Sequence, residues 1–151
     1  MIQRIQTVYL LAATIFIVMF YVFPVATFNT DLFSYEFYNC HISHPENIEV
    51  PVALFPLAVI PLLSGLISFI TIFLFKNRKL QVKFSKINLL IIVSILALTV
   101  YYFIKINNLL GGEVKYGIAG IFPVSAFVMI VLANRAIRKD EELVKAADRI
   151  R

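Results

Sequence analysis

Cys40-His41-Ile42-Ser43-His44 gathers the single cysteine and both histidines of a 151-residue chain within five residues. Thiolate and imidazole donors bind copper or zinc. Cys40, His41 and His44 are therefore candidate metal ligands, with Glu46 and Glu49 just beyond. The spacing is not Cys-x-x-Cys-His, so covalent haem attachment is not indicated. The plainer reading is a polar loop that holds these residues for no chemical purpose, and it carries more weight. No cofactor is expected.

Other chemistries fail on inventory. One cysteine makes no intramolecular disulfide, so thiol oxidation within the chain is out. Gly111-Gly112 reads as a turn, since no Gly-Lys-Ser/Thr follows to cradle phosphate. The serines offer no convincing Ser/His/Asp set. No enzyme is expected.

The elements around this loop are set by where charge is missing. Hydrophobic residues make up 60% of the chain and charged ones 15%, with a mean hydropathy of +0.86. A soluble domain is about half apolar and a quarter charged. This composition argues against a disordered chain, a basic nucleic-acid-binding domain and a soluble enzyme. Four stretches, about 7–28, 50–75, 87–104 and 116–134, lack Asp, Glu, Lys and Arg. A bilayer core of about 30 Å needs roughly 20 apolar residues in a helix. The backbone in lipid must satisfy its own hydrogen bonds, so each stretch is expected to be a helix. The expected fold class is an all-α membrane protein, a single four-helix transmembrane domain over residues 1–151. The first stretch is read as a span, because Val25-Ala26-Thr27 is a poor cleavage site for a signal peptide.

Pro56 and Pro61 each predict a lost ladder bond and a kink in the second span, and Pro51 suits its start. Ser64 and Ser68 on the second span, and Asn88, Ser94 and Thr99 on the third, are the residues able to form a buried polar cluster. Close packing of small residues and interhelical hydrogen bonds hold membrane helices together. Residues 135–151 are expected to form a cytoplasmic tail helix that continues the fourth span, lies on the surface or pairs with another helix. In the first loop, Phe33, Tyr35 and Phe37 alternate with Ser34, Glu36 and Tyr38, which predicts a small strand or hairpin.

Lysine and arginine bias sets topology. With four spans, the termini and second loop share one side. That side carries Arg4, Lys76, Arg78, Lys79, Lys83, Lys86, Arg135, Arg138, Lys139, Lys145, Arg149 and Arg151; the other carries only Lys105 and Lys115. Both termini are therefore expected in the cytoplasm (N-in, C-in), and the protein in the inner, or plasma, membrane. Arg78, Lys79, Lys83, Arg135, Arg138 and Lys139 are candidate contacts for anionic lipid or a partner. Orientation and lipid attraction account for these cations, so no nucleic acid is expected.

Three segments share a further likeness. They are Met1-Ile2-Gln3-Arg4-Ile5-Gln6-Thr7-Val8-Tyr9-Leu10-Leu11, Lys76-Asn77-Arg78-Lys79-Leu80-Gln81, and the tail from Ala133-Asn134-Arg135 to Arg149-Ile150-Arg151. Together they resemble a bacterial four-helix integral membrane family, domain of unknown function family 4293. The resemblance implies the same four-span layout and implies no activity. The expected function is a non-enzymatic accessory or structural component that binds membrane lipids or a membrane protein partner, a second copy included, through its cationic face. The alternatives are a transport or channel subunit, and an outer-facing metal-binding membrane protein.

Overall fold

The computed structural model describes residues 3–30, 33–43 and 52–149. Four helices dominate: α1 (Gln3–Val22), α2 (Phe55–Phe73), α3 (Arg78–Leu110) and α4 (Ile121–Arg149). All four are long and apolar enough to cross a membrane. Each packs against the next in sequence and α4 closes on α1, which makes an up-and-down ring.

The helix ends depart from the charge-free stretches for local reasons. Pro24 has no N–H and disfavours helix at the residue before it, so α1 stops at Val22. The rest of that stretch becomes strand β1 (Ala26–Asn29). Pro56 falls in the first turn of α2, where no ladder bond is lost, so Pro61 is the proline inside this helix. Pro51 lies outside the described residues. The Asn77 side chain accepts the Leu80 N–H at 3.4 Å and caps α3, which runs past both ends of its charge-free stretch. Beyond Pro123, α4 contains neither glycine nor proline and carries on unbroken through the tail.

At one end of the ring sits an antiparallel sheet. Strands β2 (Ser34–Phe37), β3 (Ile42–Ser43) and β4 (Glu113–Tyr116) join β1 in the order β3-β2-β1-β4. The alternation at 33–38 marks β2. The sheet is larger than one loop supplies, because β4 comes from the loop between α3 and α4. Thr27 lies opposite Glu36 on one side and Lys115 on the other. Phe28 and Phe37 are fully buried and close that end of the core with Phe20 and Ile106.

Two glycines make the junction possible. Gly112 has φ +86°, and a Cβ there would stand 2.2 Å from the Asn29 carbonyl oxygen. A Cβ on Gly117 would stand 2.1 Å from the Pro24 carbonyl oxygen.

Burial along the helices follows one rule. The buried positions are Gln6, Leu10, Ala13, Ile17 and Phe20 on α1, and Leu57, Pro61, Ser64, Ser68 and Thr71 on α2. On α3 they are Gln81, Ser85, Asn88, Ile92, Ile95, Thr99, Tyr102 and Ile106. On α4 they are Pro123, Ala126, Ile130, Ala133, Ile137 and Asp140. Steps of four and three alternate throughout. That is the 3.5-residue repeat of left-handed supercoiled helices, with each seam facing its partners.

Candidate functional site

The end of the bundle opposite the sheet holds its polar interior. Polar side chains take the seam positions there, while Leu, Ile, Val and Phe face outward. On α2, Ser64 and Ser68 are fully buried, whereas Leu66, Phe69 and Phe73 are exposed. The Ser64 hydroxyl donates to Asn88 Oδ1 at 2.7 Å. Asn88 Nδ2 donates to Ser68 Oγ at 2.6 Å. One amide thus ties α3 to two turns of α2. Of the five residues named from the sequence for a polar cluster, these three come together. Thr99 is buried but bonds its own helix at the Ile95 carbonyl, and Ser94 is exposed and bonds Leu90.

Nearer the end, further polar ties follow. Gln81 Nε2 donates to the Thr71 carbonyl at 3.3 Å, joining α3 to α2. Gln6 Nε2 donates to the Ala136 carbonyl at 3.3 Å, joining α1 to α4. Sequence reasoning missed Gln6, Gln81 and Ser85. For Ser85 and Gln81 the signal was the three-four spacing back from Asn88, which puts both on its seam. Gln81 Oε1 and Ser85 Oγ are buried and have no partner among the described residues.

The cations named from the sequence are distributed around this end. Arg78 pairs with Asp140 at 3.2 Å and also donates to the Asp140 carbonyl at 3.3 Å. Both side chains are largely buried, so water screens the pair less than it would a surface one. It fastens the start of α3 to the C-terminal half of α4. Lys79, Lys83, Arg135, Arg138 and Lys139 stay exposed. Arg135 and Arg138 line a cleft between α3 and α4 with Leu89, Val131 and Asn134.

The loop cluster lies at the sheet end. Cys40 Sγ is 3.1 Å from His41 Nδ1, and the His41 ring stacks on Tyr38 at 4.7 Å between centroids. Glu36 accepts the Tyr38 hydroxyl at 2.8 Å, and this bond pushes the Tyr38 phenol above its ordinary range. His44, Glu46 and Glu49 lie outside the described residues. Among the described residues, no third His, Cys, Asp or Glu joins Cys40 and His41. The two exposed side chains lie next to each other at the sheet end.

The family model described as Domain of unknown function (DUF4293) matches residues 2–150. No curated protein matches the chain.

Proposed function

We propose that this chain, which belongs to the DUF4293 family, is a four-span protein of a bacterial inner membrane with both termini in the cytoplasm. We read it as a non-enzymatic accessory or structural component. It contacts anionic lipid or a partner through Arg78, Lys79, Lys83, Arg135, Arg138 and Lys139. One observation carries the reading: the polarity of the bundle is inverted. Ser64, Ser68, Gln81, Ser85 and Asn88 are inside while Leu62, Leu63, Leu66, Leu90 and Val93 are exposed. In water that arrangement exposes the wrong face. In hydrocarbon, polar groups hydrogen-bond inward and apolar ones meet lipid. The cationic end then meets the anionic cytoplasmic leaflet.

Neutralising Lys79, Lys83 and Lys139 together tests the contact role. All three are exposed, so the fold is retained. Affinity purification of the full chain from native membranes in mild detergent should then lose co-purifying lipid or protein, or change its oligomer size. Identical profiles would sink the reading.

A transport or channel role has one observation in its favour, the unpartnered Gln81 Oε1 and Ser85 Oγ inside the bundle. It predicts ion or solute flux in reconstituted vesicles that Gln81→Leu reduces. Silence across a broad panel removes it.

A further inference from the structure

We propose that the cleft between α3 and α4 seats one anionic phospholipid, with its phosphate held by Arg135 and Arg138 and an acyl chain against Leu89 and Val131. This deepens the cationic-face reading and rests on it. The cleft has a volume of about 140 Å³ and is lined by Leu89, Val131, Asn134, Arg135 and Arg138.

Its chemistry is ordered by depth. Arg135 and Arg138 are three apart on α4, so they stand on one helix face. Two guanidinium forks at that spacing suit the oxygens of a single phosphate. Lys86 precedes Leu89 by three residues on α3, a third cation near the cleft though not part of its lining. Below the rim, Val131 lies one turn deeper than Arg135, and Leu89 one turn deeper than Lys86. Cations above and hydrocarbon below match the profile of a phospholipid. A free phosphate or an acidic peptide would use the rim and leave the apolar floor unused.

Asn134 adds a polar group between the two zones. Its Oδ1 is buried and has no partner among the described residues. An amide turned by half a rotation offers its NH2 donors at the same place, where a phosphate or ester oxygen accepts them.

Native mass spectrometry of the full-length protein, released from nanodiscs, reads the site. The probes are phosphatidylglycerol and phosphatidylcholine with identical acyl chains, and inorganic phosphate as competitor. The expected result is a preference for phosphatidylglycerol that Arg135→Gln/Arg138→Gln reduces roughly tenfold or more. Arg135→Lys/Arg138→Lys should keep part of it. Val131→Trp keeps both cations but fills the floor, and should release the lipid. Lys105→Gln/Lys115→Gln removes as much charge from the sheet end and should change nothing. An undiminished preference in Arg135→Gln/Arg138→Gln overturns the proposal. So does displacement by millimolar inorganic phosphate with Val131→Trp silent, which would assign a phosphate ion instead. If the preference survives the cleft variants but falls on neutralising Lys79, Lys83 and Lys139, the cleft is wrong and the cationic face stands. If neither set alters it, both readings fall.

Discussion

Asn88 holds the middle of the α2–α3 seam. It accepts from Ser64 and donates to Ser68, so both of its polar atoms are used. Replacing it with alanine leaves two buried hydroxyls without that partner and opens a small void. Interhelical hydrogen bonds in membranes contribute about 0.6–2 kcal/mol. Asn88→Ala should therefore lower thermal stability in detergent by roughly 1–2 kcal/mol. Ser94→Ala should leave it unchanged, because that hydroxyl is exposed and bonds its own helix. Equal melting of the two variants would remove Asn88 from its central role. The sequence already named Ser64, Ser68 and Asn88, since polar residues inside apolar runs are conspicuous. It named Ser94 and Thr99 on the same ground. What separates them is the face each occupies, and a helix that is apolar all round does not announce its faces. Cys40 and His41 were equally conspicuous, and the structure brings that pair within 3.1 Å. The place of the third candidate, His44, lies outside the described residues.

The four helices were legible from the spacing of charges alone, because length and missing charge are properties of a segment. The sheet was legible only in part. β2 declares itself by alternation. β1 hid inside a charge-free stretch, and four residues of β4 are too few to show a period. Their pairing is a tertiary fact, which no local pattern encodes. Gly112 is where that pairing is most exposed to change. Alanine there adds a Cβ 2.2 Å from the Asn29 carbonyl oxygen and holds φ at +86°, a region L-residues avoid. Gly112→Ala should cost about 1–3 kcal/mol. Hydrogen exchange should then show lost protection at β1 and β4 while α2 and the middle of α3 keep theirs. Uniform loss across the helices would mean the sheet and bundle unfold as one unit.

For the whole molecule, the central question is which way the bundle points. In the orientation we propose from the charge asymmetry, the termini and the α2–α3 turn are cytoplasmic and the sheet is outside. Cys40, exposed and the sole cysteine, makes a direct probe. A membrane-impermeant maleimide added to spheroplasts should label Cys40 in the intact chain. A Cys40→Ser protein carrying Lys79→Cys should be labelled only after the membrane is opened. The reverse pattern would invert the orientation and move the cationic end away from anionic cytoplasmic lipid. The sheet sets a separate condition that holds whichever way the bundle points: its two loops share one side. β1 pairs with β2 almost at once, but its other edge waits for β4, whose Glu113 follows Asn29 by 84 residues. At the ribosome's pace of about 5–20 residues per second, that wait is roughly 4–17 s. On the proposed reading, two more helices would be threaded in the meantime. The last edge closes only if both loops have been delivered to one compartment. A chain with its two loops on opposite sides would keep a bare strand edge, which is a template for aggregation. On the proposed four-span reading, the β1–β4 seam would thus be a hydrogen-bonded seal completed only when both loops reach the same side.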